Sequence, residues 1–333
     1  MQQQAADNTT DADDIVRVRQ STLIGLSREA RQLPLRSRSI RASFSGQYQS
    51  SFKGRGMEFD ESRPYQPGDD IRAMDWRVTA RTGRAHSKLY REERERPVLL
   101  WVDYRQPMFF ATRQHFKSVL AARVAALLAW SASYHGDRLG GLIFSEQGHS
   151  ELRPARGKSA SLHFIQQLTQ QQATASIAMH TPVAPDIAAT AAADSLARLQ
   201  HVSKPGSLIF LISDFRNMNE AAWLRLSQLS RNADLVLISV SDPLEQQLPP
   251  AGDYKISDGQ RELNLSTYSP QQRQQYAQRF LMQQQTLQDK CRQLSMHLIN
   301  ISTADDYLRV LQQGLGLQTM GLQLTATAPR RAR

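Results

Sequence analysis

The chain reads as an α/β protein: a doubly wound, mostly parallel six-stranded sheet with a smaller N-terminal region of loops and short strands and an inserted hairpin. Three observations carry this. The segments Val98–Val102, Ser207–Ser213 and Asp234–Ser241 are apolar at successive positions rather than at alternate ones, as strands buried on both faces are. Each of them runs directly into an aspartate: Asp103, Asp214 or Asp242. Segments with helical spacing separate them, and a repeated β-α order builds parallel sheets through right-handed crossovers.

The elements follow in order. Residues 1–14 are polar and acidic, without periodicity, and read as a disordered tail. Residues 15–96 form an N-terminal helix and a charged region. Leu23, Leu26, Ala30 and Leu33 share one face of a helix over Thr22–Leu33, which Pro34 stops. From Leu35 to Arg96, Gly and Pro break the chain into loops and short strands. Residues 97–317 hold the sheet. After the strand at 98–102, Phe116, Val119, Leu120, Val124, Leu127 and Leu128 fall at helical spacing, and His135-Gly136-Asp137 ends that helix. Strands at 139–145 and 150–154, the latter an edge, lead to a helix over 159–168, a Gln- and Ala-rich loop over 170–185 and a helix over 186–202. The strand at 207–213 comes next, then a helix capped by Asn219 and running to about Arg231, then the strand at 234–241. Residues 243–267, with Gly252 and Gly259, read as the inserted hairpin. Ser269-Pro270-Gln271-Gln272 is a capping box with Pro at the first helical position. Its helix extends to about Leu294, with Tyr276, Phe280, Leu287, Cys291 and Leu294 on one stripe. A strand over 296–301 and a helix through Leu311 complete the domain, and 318–333 is a disordered basic tail.

Bulk properties narrow the classes. A single cysteine, Cys291, permits no internal disulfide and no thiolate cluster, which fits a reducing, cytoplasmic setting. The N-terminus has no apolar core of a signal sequence, and no run reaches the about 18–20 apolar residues of a membrane helix. The net charge is +10, with 34 Arg and 7 Lys, but the cations are scattered apart from Arg330, Arg331 and Arg333. A nucleic-acid surface clusters its cations on one face and interleaves aromatics, so solvated Arg–carboxylate pairs account for the charge better than an Arg-rich nucleic-acid binder does.

The densest stretch of special residues is Gly46–Glu95. Gly54 and Gly56 offer unusual backbone angles, and Pro67-Gly68-Asp69 is a turn. Between Lys53 and Arg96, 11 Lys and Arg face 9 Asp and Glu, a pattern that predicts an ion-pair network. Trp76 is expected to anchor this block on the sheet domain. At the strand ends, Asp103 and Asp214 could hold a hard divalent cation such as Mg²⁺ through oxygen ligands. Other chemistry has little support. Gly54-x-Gly56 lacks the helix of a phosphate-cradling loop, the eight histidines show no zinc spacing, no G-x-S-x-G elbow is present, and Cys291 reads as core. No nucleophile–base pair is visible, so an enzyme is the least supported class.

The residues Gly54-Arg55-Gly56-Met57-Glu58-Phe59, Arg63-Pro64-Tyr65-Gln66-Pro67-Gly68-Asp69-Asp70, Arg72, Asp75-Trp76, Ala80-Arg81 and Glu92 form one block. Gly136-Asp137-Arg138, Ser213-Asp214-Phe215, Asp242-Pro243-Leu244-Glu245 and Leu248-Pro249 continue the pattern. With these, the chain from about Arg38 to Leu311 resembles domain-of-unknown-function family 58, bacterial von Willebrand factor A-like proteins associated with MoxR-type AAA+ ATPases. The resemblance implies a von Willebrand A-like, Rossmann-like sheet and a non-enzymatic adaptor. Its partners would be such an ATPase and a client protein that the pair remodels or matures, with no membrane span. It also implies a rim for partner binding around Asp103, Arg105, Asp214 and Asp242. Von Willebrand A domains hold Mg²⁺ at an Asp-x-Ser-x-Ser motif, with a Thr and a second Asp from later loops. Here the motif reads Asp103-Tyr104-Arg105-Gln106-Pro107, so Arg105 and Pro107 replace both serines and the site is degenerate. A Thr ligand would come from the region of Thr181 or Thr190. A Mg²⁺-dependent ligand-binding domain is the alternative reading.

Overall fold

A computed structural model of the chain describes residues 15–33, 35, 57–66, 69–92, 97–112, 114–178, 183–257 and 262–316. The chain divides into two compact units, Ser45–Arg96 and the remainder.

The described elements, in chain order, are α1 (Gln20–Gly25), α2 (Ser27–Ala30), β1 (Met57–Pro64), α3 (Trp76–Thr82), β2 (His86–Glu92), β3 (Pro97–Asp103), α4 (Lys117–Tyr134), β4 (Arg138–Ser145), β5 (Gly148–Ala155), α5 (Lys158–Ala178), α6 (Pro185–Val202), β6 (Leu208–Ser213), α7 (Glu220–Ser230), β7 (Asp234–Ser241), α8 (Pro243–Gln246), β8 (Asp253–Ser257), β9 (Glu262–Ser266), α9 (Pro270–Gln293), β10 (His297–Ser302) and α10 (Tyr307–Gly314).

The larger unit is organised by a six-stranded sheet in the order β10-β7-β6-β3-β4-β5. All neighbours are parallel except β5, which returns antiparallel to β4. The strands are buried on both faces because their apolar runs are continuous, and alternate side chains feed two cores. Val98, Leu100 and Val102 face α4, α5, α10 and the N-terminal helices. Leu99 and Trp101 face α6, α7 and α9. The chain order reverses between β3 and β6. At such a switch point two adjacent crossovers leave in opposite directions and open a crevice at the carboxyl ends of the strands. Asp103 ends β3 there, and Asp214 follows β6. The hairpin β8–β9 pairs antiparallel, apart from the main sheet.

Two boundaries differ from expectation. The stretch over 170–185 is not all loop, because α5 continues to Ala178. Ala and Gln are strong helix formers, and buried Gln172 fixes the extension: its Oε1 accepts from the Val18 amide at 2.8 Å and its Nε2 donates to Ser118 at 3.2 Å. The N-terminal helix does not group with the charged region as one segment over 15–96. Val18, Leu23, Leu26, Ala30 and Leu33 are buried in the sheet unit's core. Trp130 Nε1 donates to the Leu23 carbonyl at 3.0 Å, and Ser131 Oγ donates to the Leu33 carbonyl.

In the smaller unit, β1 and β2 pair antiparallel with a bulge between Phe59 and Glu61. The chain between them makes a short 3₁₀ turn, Ile71–Ala73, and α3, a helix the sequence reading did not contain. Its signal was present: Asp75 is an N-cap whose side chain accepts from the Val78 amide, and Gly83 at φ 68° closes the last turn.

Candidate functional site

The switch-point crevice is occupied by the protein's own ions. Asp103 is brought there by β3. The chain then turns sharply, because the Arg105 amide donates to Asp103 Oδ1 at 2.9 Å. That turn folds the Arg105 side chain back over the carboxylate. Arg105 Nε lies 3.0 and 3.1 Å from the two Asp103 oxygens, and Nη2 lies 2.6 Å from Oδ2. From β6, Ser213 Oγ donates to the same oxygen at 2.5 Å. The Asp103 and Arg105 side chains are 0% and 2% exposed. Burial opposes the charged guanidinium, but Asp103, with Asp214 and Glu146, outweighs it and holds the Arg105 pKa above its ordinary value. Arg105 Nη1 also donates to the carbonyls of Ala188 at 3.1 Å and Asn217 at 3.4 Å, and its guanidinium lies 5.6 Å from the Phe144 ring.

A second buried centre adjoins it. Lys117, the first residue of α4, is fully buried, and its Nζ lies 2.8 Å from Asp214 Oδ2 and 2.7 Å from Glu245 Oε1. Burial pushes the Asp214 pKa up, and the attraction and hydrogen bond of Lys117 push it further down, so the carboxylate ends below its ordinary range. Arg216, at the surface, reaches Glu245 at 3.3 Å. Asp242 caps α8 in a reciprocal box with Glu245. It also accepts from the Thr112 hydroxyl at 2.5 Å, the Thr112 amide at 3.0 Å and the Thr303 hydroxyl at 2.7 Å. Its burial acts upward, but these hydrogen bonds prevail and lower its pKa. Glu146 accepts from the Gln106 amide at 2.9 Å, and burial raises its pKa.

This donor set does not suit Mg²⁺. A hard divalent cation needs several free oxygens around one point. Here both oxygens of Asp103 are covered by a guanidinium, and Asp214 already holds an ammonium. Of the Thr positions expected to help, Thr190 is exposed and Thr181 lies outside the described residues. Hydroxyls reach these carboxylates from Ser213, on Asp103, and from Thr112 and Thr303, on Asp242.

The structure thus gathers Asp103, Arg105, Asp214 and Asp242 at one edge of the sheet, the last through its own hydroxyl and capping contacts. It adds Lys117, Glu245, Ser213 and Arg216, which the sequence reading did not place in the site. Glu245 had a signal in its box with Asp242. Lys117 had only the oddity of a lysine opening an apolar helix.

In the smaller unit, Arg63 Nη2 pairs with Asp69 at 2.6 Å, and the Gln66 amide donates to the other Asp69 oxygen at 3.0 Å. Ser62 Oγ donates to Asp75 at 2.6 Å, and the Tyr65 amide to the Ala85 carbonyl at 2.9 Å. Asp70 accepts from the Ala73 amide through its carbonyl. Arg81 is exposed in the last turn of α3. The block is therefore paired at Arg63–Asp69 and capped at Asp75. Trp76, expected as an anchor, is the first residue of α3 and is 66% exposed. Gly54, Gly56 and Gly68 lie outside the described residues, as do the side chains of Glu58 and Arg72.

Comparison with known proteins gives a consistent family. A profile described as "Protein of unknown function DUF58" matches residues 61–286. Uncharacterized proteins of Mycobacterium bovis and Mycobacterium tuberculosis are 31% identical over 217 residues, which is 65% of this chain and 64% of theirs. Three solved structures align over about two thirds of the chain. The conserved hypothetical protein BatB from Bacteroides thetaiotaomicron gives 12% identity and a TM-score of 0.37, covering 66% of this chain and 97% of its own. An aerotolerance-related membrane protein from Bacteroides fragilis gives 15% and 0.39, covering 66% and 98%. An uncharacterized membrane-spanning protein from Vibrio fischeri gives 14% and 0.18, covering 67% and 98%. The cytoplasmic setting expected from the sequence runs counter to the descriptions of these neighbours, two of which are called membrane proteins. Among the described residues no helix is long and apolar enough to cross a membrane.

Proposed function

Because the chain belongs to the DUF58 family of proteins of unknown function, we propose that it is a non-enzymatic protein-interaction adaptor, with a von Willebrand A-like sheet domain as its binding module. One observation supports this above the rest. The crevice where such a sheet ordinarily takes a small ligand is filled by Arg105 and Lys117, each buried and matched to carboxylates. A cluster satisfied in this way has no free group to act on a substrate. It rigidifies the loops around it, and a rigid rim suits the capture of another protein. Two candidate nucleophiles fit poorly with catalysis. Ser213 Oγ is buried and faces a carboxylate already covered by Arg105. Cys291 is buried in the α9 stripe, which pushes its thiol up to about 12.

The partner in this proposal is a MoxR-type AAA+ ATPase, and the process is remodelling or maturation of a client protein. Both come from the family resemblance. The test is affinity recovery of the tagged full chain from its native cell extract with ATP, with ADP or without nucleotide. Recovery of an AAA+ ATPase that changes with nucleotide supports the adaptor. Absence of any such ATPase in all three states sinks it.

A further inference from the structure

Beside the ion cluster lies a pocket of about 280 Å³, between the loop that follows β6 and the outer helix α9. One wall is Phe215, Asn217, Met218 and Trp223, and the other includes Gln284 and Lys290. The loop is held in an uncommon shape. Phe215 has φ 53° and Asn217 φ 52°. Left-handed backbone is unfavourable for a residue with a side chain, less so for Asn than for Phe, and it persists where surrounding contacts over-determine it.

Those contacts come from the ion cluster. Ser213 Oγ accepts from the Phe215 amide at 2.9 Å, Asp214 Oδ1 accepts from the Arg216 amide at 3.0 Å, and Arg105 Nη1 donates to the Asn217 carbonyl at 3.4 Å. Ser213 and the buried ions Asp214 and Arg105 together clamp three successive residues. This shape keeps Phe215 buried and sets Met218 and Trp223 opposite α9.

The chemistry of the pocket is mixed. Met218, Phe215 and Trp223 offer apolar surface. Lys290 lies with its Nζ 4.7 Å from the centroid of the Trp223 ring, and among the described residues its ammonium has no carboxylate partner. Asp214 borders the pocket, but its carboxylate is matched by Lys117, so it does not set an unopposed negative charge against an acidic ligand. A hollow with apolar surface from Phe215, Met218 and Trp223 and one cation at its wall complements an apolar side chain next to a carboxylate.

We propose that this pocket is a docking site for a protein segment that presents an aliphatic side chain adjacent to an acidic one, with Lys290 reading the carboxylate and Trp223 and Met218 the apolar group. Arg105 is a positioning residue that holds the Asn217 carbonyl. The proposal rests on the reading of the chain as a binding protein, but it is tested without any ATPase, so either can fail alone.

The probes are N-acetyl-Leu-Glu-amide, N-acetyl-Leu-Gln-amide and N-acetyl-Gly-Glu-amide, titrated to millimolar concentration into the full chain. The readout is the indole N–H resonances, with Trp223 assigned from Trp223→Phe. The expected result is a saturable shift at Trp223, strongest for Leu-Glu and about threefold weaker for Leu-Gln, the size of one partly exposed charge contact. Lys290→Gln is expected to erase that threefold difference, and Arg225→Gln, on the exposed part of α7, to preserve it. Because Lys290 is a surface-reaching side chain, its variant keeps the fold, and an unchanged spectrum elsewhere verifies this. No saturable shift at Trp223 with any probe overturns the docking site. Equal binding of Leu-Glu and Leu-Gln, or a preference that survives Lys290→Gln, overturns the assignment of its ligand.

Discussion

Asp103 takes four hydrogen bonds from Arg105 and one from Ser213. A pair this deeply buried does not guarantee net stability, since desolvating both charges offsets much of their attraction. Breaking it from one side is different, because the remaining charge is stranded. Arg105→Ala is therefore expected to cost about 3–5 kcal/mol in urea unfolding, and the double variant Asp103→Leu/Arg105→Met clearly less. A single variant within 1 kcal/mol or so of wild type would mean that water reaches the cluster. His115, in the loop before α4, supplies a pH dependence. It is buried, and burial, helped by Arg123, depresses its pKa from 6.5 to about 4. The neutral ring is the form the fold favours, so the unfolded chain takes up the proton first as pH falls. Stability is thus full above pH 6.5 and declines from there to about pH 4, by about 3 kcal/mol at the lower end. In His115→Leu that decline should disappear from melts run across the window. If the wild type and variant curves stay parallel, His115 is not buried neutral.

At the scale of elements, β4 has no room for a side chain at its two glycines, facing β3 at one and β5 at the other. A Cβ on Gly141 would lie 2.1 Å from the Leu100 carbonyl oxygen, and one on Gly140 2.7 Å from that of Leu152. Backbone cannot yield as a flexible side chain can. Gly141→Ala should therefore destabilise by about 3 kcal/mol or more, whereas Gly25→Ala, with open space around it, should be neutral or mildly stabilising. Equal melting temperatures for the two variants would refute the close approach. The same strands show what was legible beforehand. Their continuous apolar runs and terminal aspartates located β3, β6 and β7 to within a residue or so, and capping residues Asn219 and Ser269 marked true helix starts. The end of helix α5 has no helical period to show it, because Ile177 is the one large apolar residue among its last ten and is exposed, and what keeps Gln172 inside is a hydrogen bond to Val18, 154 positions away. Helix α3 escaped because its seven residues contain no buried apolar position to create a period.

For the molecule as a whole, the reversal of strand order between β3 and β6 decides where a ligand would sit, and the sequence placed Asp103 and Asp214 there. It could not place the cations that answer them. Lys117 meets Asp214 across 97 positions and Glu245 across 128, distances over which no spacing rule operates. Arg105 was visible as a departure from a metal motif, but its fold back onto Asp103 depends on the local turn. These cations determine the response to metal. Arg105, Lys117 and Arg216 answer Asp103, Asp214 and Glu245 charge for charge, and the neighbouring carboxylates Asp242 and Glu146 are held by Thr112, Thr303 and the Gln106 amide. To enter, Mg²⁺ would have to displace a guanidinium at 2.6 Å and an ammonium at 2.8 Å and leave both cations buried without partners. The melting temperature of the full chain is therefore expected to be the same in millimolar Mg²⁺, in Mn²⁺ and in EDTA. A site occupied at a hundred times its Kd would add about 2.7 kcal/mol of stability by mass action, a rise of several degrees that a thermal melt resolves readily. Such a rise, abolished by EDTA, would show that the Arg105 and Lys117 pairs open to admit the ion, and that the rim is a metal-gated surface rather than a fixed one.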